Sequence, residues 1–237
     1  MTRPIEPLTQ PADLDLKKLN QRFEKSHPKD ILTWSVVNVP EKLIQVSAFN
    51  VDDMLITDLL YRAIRPKNPV PVLFLDTLHH FNETLELVAH ANEQYRLNLK
   101  VCRPKGTTTP AAFSKKYGKA LWKKNPVQYS QLTQVEPLER GLNSMGAIAW
   151  ITARRREQSP KFANIPIFEL DQNQRLIVNP LANWTRTETW AYVFEHDVIY
   201  NPLHDKGYPK IGDEPTTTPI IHDSEAPGHD NMVLGKP

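Results

Sequence analysis

The 237-residue chain has one cysteine, Cys102. A single thiol excludes an intramolecular disulfide, a four-thiolate metal site and a Cys-pair redox centre. Leu97, Leu99 and Val101 beside it make an apolar run that reads as a buried strand. Glycine is scarce, 8 Gly against 21 Pro, and none precedes Gly106. An anion-holding loop in the first 105 residues therefore has to work without it. No apolar run approaches the ~20 residues that span a bilayer. The N-terminus, Met1-Thr2-Arg3-Pro4-Ile5-Glu6-Pro7, lacks the apolar core of a signal peptide. A net charge of +2 is too small to indicate nucleic acid. What remains is an ordinary globular composition, 40% hydrophobic and 24% charged, expected in a reducing cytoplasm.

The patterning predicts an N-terminal arm and helical lead-in over residues 1–27, a nucleotide-binding domain over 28–200 and a C-terminal arm over 201–237. Leu14, Leu16, Leu19 and Phe23 have helical spacing, as do Ile31, Leu32, Trp34, Val36 and Val37. Strands are expected at 43–46, 70–75, 97–101, 147–152, 165–170 and 176–178. Helices are expected at 51–64, 81–95, 137–145 and 185–195. Thr109-Pro110 is a helix start, and Thr185 with Glu188 has the capping-box pattern. Short apolar strands alternating with helices predict an α/β fold, a doubly wound, mostly parallel sheet with flanking helices. From Asn201 onward Pro, Gly, Asp and Thr dominate, which predicts a surface arm without a core of its own.

Ligands of such sheets sit at the carboxyl ends of the strands. Three segments are expected there. Ser47-Ala48-Phe49-Asn50-Val51-Asp52-Asp53 joins a strand to a helix, and its hydroxyl, amide and backbone N–H groups suit an anion. The same residues also suit an ordinary βα loop, with Asp52 and Asp53 complementing the helix dipole. Leu75-Asp76-Thr77-Leu78-His79-His80 follows the second strand, and Asp76 suits an adenine amine or a ribose hydroxyl. His79 and His80 are adjacent and point differently, a poor metal pair. Thr152-Ala153-Arg154-Arg155-Arg156-Glu157-Gln158-Ser159 follows the fourth strand. Guanidinium groups there suit a phosphate or sulfate, or pair with Glu157 on a solvated surface. Lys115, Lys116, Lys119, Lys123 and Lys124 read as a solvated helical face.

These loops, in this order, resemble the phosphoadenylyl-sulfate (PAPS) reductases of the sulfonucleotide reductase family. Leu73-Phe74-Leu75-Asp76-Thr77-Leu78-His79-His80-Phe81-Asn82-Glu83-Thr84 is similar to the family's second nucleotide motif, and residues 152–159 to its arginine loop. Ala163-Asn164-Ile165-Pro166, Asn179-Pro180-Leu181-Ala182-Asn183-Trp184-Thr185 and Tyr200-Asn201-Pro202-Leu203-His204-Asp205-Lys206-Gly207-Tyr208 are similar to further signatures. Ile211-Gly212-Asp213-Glu214-Pro215-Thr216-Thr217-Thr218-Pro219 is similar to the iron-free branch. The resemblance implies an adenine-nucleotide α-hydrolase-like fold related to the ATP pyrophosphatases. It implies an adenine nucleotide as ligand: PAPS, adenylyl sulfate or adenosine 3′,5′-bisphosphate. Ser47, Ala48, Phe49, Asn50, Asp52, Asp53, Leu75, Asp76, Thr77, Arg154, Arg155, Arg156, Gln158 and Ser159 would bind it, with Thr216 and Thr217 as further anion contacts. The family reaction is thiolate attack on the sulfate sulfur, resolved by thioredoxin or glutaredoxin to give sulfite.

The departures from the pattern shape the expectation. The family's thiolate lies in a C-terminal Glu-Cys-Gly-Ile/Leu-His motif, and Asp230-Asn231-Met232-Val233-Leu234-Gly235-Lys236-Pro237 carries no such motif. The cysteine pairs of the iron–sulfur branch are replaced by Tyr129-Ser130-Gln131-Leu132 and residues 213–218, so no cluster is expected. Asn50 and Ala153 stand where the family usually has Gly, Pro215 where it has His, and Thr218 where many members have Arg. Asparagine tolerates left-handed φ, so Asn50 is expected to carry the turn. The leading expectation is a nucleotide-binding member without sulfite-forming activity and without a cofactor, a homodimer or a partner subunit. One alternative is an active thioredoxin-dependent reductase of sulfate assimilation whose catalytic tail lies outside this chain. Another is Mg²⁺-dependent adenylyl transfer or nucleotide hydrolysis, with Asp52, Asp53 and Asp76 near the ion.

Overall fold

The computed structural model describes Pro11 and residues 14–220. Most of the expected N-terminal arm over 1–13, and the sequence from Ile221 onward, lie outside the described residues. In chain order the elements are α1 (Leu16–Phe23), α2 (Pro28–Asn38), β1 (Leu43–Ser47), α3 (Val51–Asp58), β2 (Val72–Leu75), α4 (Asn82–Tyr95) and β3 (Leu99–Cys102). There follow α5 (Pro110–Tyr117), α6 (Leu121–Lys124), α7 (Pro126–Ser130), α8 (Glu136–Ser144), β4 (Ala149–Ile151), β5 (Phe168–Leu170), β6 (Leu176–Val178) and α9 (Arg186–Glu195).

The six strands form one sheet in the order β3-β2-β1-β4-β6-β5. Every neighbouring pair is parallel except β5–β6, which is antiparallel. The chain winds outward from β1 to β2 and β3, then crosses to β4 on the other side. That reversal places the β1 and β4 loops side by side at the carboxyl edge, where such sheets hold ligands.

β1 and β2 are central and covered on both faces, so their residues are mostly buried; β2 is wholly apolar, while β1 carries the buried polar residues Gln45 and Ser47, and Gln45 is hydrogen-bonded to Thr57 and Asp53 O. β3 is different: it is an edge strand. Val101 is 42% exposed and Cys102 is half-buried, so the run around the cysteine is not the buried strand that its apolarity suggests. A strand with one neighbour lacks the cover that would bury it. The other edge is protected. Asn20 on α1 accepts from Phe168 N at 2.8 Å and donates to Phe168 O at 2.8 Å, which blunts β5 as a partner strand would. Phe168 packs edge to face against Phe23 and Trp34, which are tilted against each other, all at 5.0–5.9 Å, so the helical lead-in joins the main core.

The expected helix over 51–64 starts as α3 and widens into a π-helical turn, Leu59–Ile64, closed by Arg65 N on Leu60 O. Its buried Asp58 accepts from Tyr95 at 3.1 Å, Tyr192 at 2.9 Å and Arg62 at 2.9 Å. One carboxylate thereby ties α3, α4 and α9 together. Burial first, then Asp58, pushes both tyrosine hydroxyls well above their ordinary range. At α9, Thr185 and Glu188 close the predicted capping box.

Residues 201–219 depart from the expected surface arm. Leu203 is buried, Asn201 donates to Thr84 Oγ1 at 2.9 Å, and Asp213 bridges to His80. The Pro- and Thr-rich composition is real, but Asn201 is engaged by Thr84 of α4 and Asp213 by the loop after β2, which gives the segment a buried face.

Candidate functional site

Four segments meet at the carboxyl edge: the loops after β1, β2 and β4, and the segment after α9. In the first, Ser47 is buried and Ala48 exposed. Phe49 has φ +56° with its ring 1% exposed, set edge to face against Phe74 at 5.4 Å. The left-handed residue of this turn is therefore Phe49 and not Asn50. Asn50 has an extended backbone, φ −75° and ψ 173°, and caps α3 instead. Its Oδ1 accepts from Asp53 N at 3.0 Å, while Asp53 Oδ2 accepts from Asn50 N at 3.4 Å and Ala48 N at 2.9 Å. Phe49 N donates to Ser47 Oγ at 3.1 Å. Burial, with some repulsion from Asp52, pushes the Asp53 carboxyl up to about 7, against the two N–H donors that favour its charge.

Asp52 and the arginine loop come together. Asp52 Oδ1 accepts from Arg155 Nε at 2.8 Å and Thr189 Oγ1 at 3.1 Å, and Oδ2 accepts from Gln158 Nε2 at 3.1 Å. Arg155 is 5% exposed and also bonds Glu157 through Nη1. The three arginines diverge. Arg156 donates to Ile165 O at 2.9 Å, Glu24 at 2.6 Å and Asn183, clamping its turn to the end of α1. Arg154 lies against Trp150 and Phe162 and donates from Nε to Thr152 Oγ1 at 3.0 Å. Its Nη2 is 3.2 Å from Glu169 Oε1 but makes no hydrogen bond, although that nitrogen is buried. Arg154 is thus ion-paired with Glu169 through a nitrogen that makes no hydrogen bond, whereas Arg155 and Arg156 are hydrogen-bonded to their carboxylates. Ser159 follows in an extended, half-buried position.

In the loop after β2, Asp76 Oδ1 accepts from Leu78 N at 2.9 Å and Oδ2 from Arg103 Nε at 2.7 Å. Arg103 follows Cys102 at the end of β3, and no sequence pattern marked it as a partner. Leu75 O lies 3.1 Å from His80 Nε2. Thr77 Oγ1 donates to Asp213, whose other oxygen accepts from Tyr129 at 2.6 Å. His80 Nδ1 is 3.8 Å from the same carboxylate. Tyr129 and Asp213 stand in the two segments where the resemblance places cysteine pairs in another branch, and a hydrogen bond joins them here. Burial and Asp213 push the Tyr129 hydroxyl far above its ordinary range. His79 turns away into a cage of Phe113, Trp122 and Tyr129 at 5.1–5.4 Å, with Nδ1 on Thr77 O at 2.8 Å. Thr216 and Thr217 do not reach the loops as side-chain donors. Both hydroxyls turn back on Asp213 O, at 3.2 and 2.8 Å. The five lysines of residues 115–124 are exposed.

Residues 42–219 match the family described as "Phosphoadenosine phosphosulfate reductase domain". The chain is 39% identical over 207 residues to phosphoadenosine phosphosulfate reductase of Emericella nidulans, covering 86% of this chain and 67% of that protein. It is 34% identical over 215 residues to adenosine 5′-phosphosulfate reductase of Halalkalibacterium halodurans, covering 90% of each. The crystal structure of PAPS reductase from Candida auris in phosphate complex superposes with a TM-score of 0.77 at 35% identity, over 86% of this chain and 96% of that one. FMN adenylyltransferase of Candida glabrata gives a TM-score of 0.60 at 14% identity, over 87% of this chain and 68% of that one. An NH3-dependent NAD synthetase of Campylobacter jejuni gives 0.52 at 13%, over 83% and 79%. These last two show the fold alone.

Proposed function

The chain belongs to the phosphoadenosine phosphosulfate reductase family, and from that premise we propose that it binds an adenine sulfonucleotide at the carboxyl edge of its sheet and takes part in sulfonucleotide reduction. The observation that carries this reading is the arrangement of the loops after β1, β2 and β4. They converge at the point where the chain reverses its winding, and they bear Ser47, Asp76, Thr77 and Arg154. Arg154 supplies a half-buried guanidinium whose Nη2 faces Glu169 at 3.2 Å without a hydrogen bond, a cation that an anionic ligand would compete for. In the family's reaction, a thiolate attacks the sulfate sulfur, the bond from that sulfur to the phosphate oxygen breaks and the nucleotide leaves; a second thiol then attacks the thiol-bound sulfur of the S-sulfonate, releasing sulfite as the two thiols become a disulfide.

One observation favours a second reading, nucleotide binding without sulfite formation. The single thiol of this sequence, Cys102, ends edge strand β3 with Sγ 3.9 Å from Arg140 Nη1. It is carried on the sheet itself, not on a segment that folds over the three loops. Calorimetric titration with PAPS, adenylyl sulfate, adenosine 3′,5′-bisphosphate and ATP, with sulfite measured beside it under thioredoxin, thioredoxin reductase and NADPH, separates the two. Sustained sulfite release supports reduction. Saturable binding with no sulfite supports the binding role. No binding of any nucleotide refutes both.

A further inference from the structure

A basic face lies beside the three loops, and the binding reading above makes no use of it. Residues 94–135 carry nine Lys and Arg and no Asp or Glu, so the net +2 of the chain divides into +9 here and −7 elsewhere. Lys105, Lys115, Lys116, Lys119, Lys123 and Lys124 are all exposed. Among the described residues, the only lysines that pair with a carboxylate are Lys18 and Lys206, both outside this stretch. A solvated helix face commonly alternates its signs, whereas this one is unpaired and of one sign.

The fold puts this charge at the ligand edge of the sheet. The stretch leaves the carboxyl end of β3 through Arg103, whose Nε reaches Asp76 at 2.7 Å. α5 and α6 then pack on the loop after β2, with Phe113 and Trp122 5.2 and 5.1 Å from the His79 ring. Lys116 Nζ donates to Lys105 O at 2.8 Å, which draws the start of the stretch onto α5. The carboxylates of this neighbourhood are already held, Asp76 by Arg103 and Asp213 by Thr77 and Tyr129. The lysines thus gather beside the site without belonging to its loops.

We infer that the lysines of α5 and α6, with Lys119 between them, form an electrostatic funnel that selects polyanionic nucleotides through their summed field and not through a contact made by any one of them. The inference rests on the nucleotide reading above and adds what draws the ligand in. A phosphate monoester carries about −1.5 to −2 at neutral pH. A bisphosphate therefore feels the field several-fold more strongly than a singly charged ion, and neutral adenosine does not feel it.

Calorimetry on the full chain at 10 mM and 300 mM salt, where charges act over about 30 Å and about 6 Å, tests the funnel. Lys115, Lys119, Lys123 and Lys124 are replaced by Gln singly and together, with a fourfold Arg variant that keeps the charge. Lys116 is left to its bond with Lys105 O. At 10 mM the fourfold Gln variant should bind adenosine 3′,5′-bisphosphate about tenfold or more weakly than wild type, and each single Gln variant about twofold more weakly. The fourfold Arg variant should bind as wild type does. At 300 mM the variants and wild type should converge, and adenosine affinity should be the same in all of them. Equal bisphosphate affinity in wild type and the fourfold Gln variant at 10 mM would overturn the funnel and leave the nucleotide reading standing. A loss carried by one lysine alone, or one that persists at 300 mM, would do the same, because it marks a contact in place of a field. No nucleotide bound by the wild type at either salt would reject the nucleotide reading and the funnel with it.

Discussion

Replacing Arg155 should damage the fold before it damages any ligand contact. Its guanidinium and the Asp52 carboxylate are 6% and 7% exposed, with Nε and Oδ1 2.8 Å apart. At an effective dielectric of about 20, unit charges about 4 Å apart attract by about 4 kcal/mol. Arg155→Met leaves Asp52 buried with only Gln158 and Thr189 as donors. Breaking a buried pair from one side costs about 3–5 kcal/mol. Asp52→Asn keeps an acceptor for Arg155 and Thr189, and Arg155 keeps Glu157, so its cost should be nearer ~1–2 kcal/mol. In the double variant no uncompensated carboxylate remains at residue 52. The double should therefore cost less than the sum of the singles by at least ~1.5 kcal/mol. Urea unfolding followed by circular dichroism reads all four corners of this cycle, with the slope checked for a constant m-value. Strictly additive costs, or an Arg155→Met loss below ~1 kcal/mol, would refute the buried-pair argument. The cycle also governs binding assays. Weaker nucleotide binding in an Arg155 variant reflects a disturbed loop unless stability is matched. Arg154→Ala, which breaks a half-exposed pair with Glu169, is the cleaner probe of anion contact.

Two further outcomes follow from the same geometry. Asp213→Ala leaves the Thr77 and Tyr129 hydroxyls without their acceptor, and hydrogen bonds to a charged group are worth ~1.5–3 kcal/mol each. Residues 77–80 and 211–217 should exchange amide hydrogens about a hundredfold faster while the central strands keep their protection; unchanged exchange there would show that Asp213 does not hold the segment down. At Phe49, loss of the buried ring costs ~3–5 kcal/mol, but glycine recovers ~1 kcal/mol of left-handed strain that alanine retains. Phe49→Gly should accordingly unfold at higher urea than Phe49→Ala, and the reverse order would refute the strain assignment.

The sequence determined the alternation of strands and helices, because burial periodicity and caps are local. Thr109, Thr185 and Glu188 mark their helix starts by side-chain chemistry acting within three residues. The order of the loops, and with it the family, was likewise legible from Leu73–Thr84, the arginine run and the segment around Asn201. Tertiary structure decided what those residues do. Edge position, which depends on strand order, left Cys102 and Val101 partly uncovered despite an apolar run. Packing of the Phe49 ring against Phe74 moved the left-handed turn one residue ahead of Asn50. Three arginines that look alike in a string were sorted by carboxylates two residues away, Glu157, or 15 to 132 residues away, Glu169, Asp52 and Glu24. Asp213 sits among residues that look like a loose arm, and only the approach of Thr77 and Tyr129 gives it a buried role. Charge pairing of this kind depends on distances through space, and a chain's sequence records only distances along it.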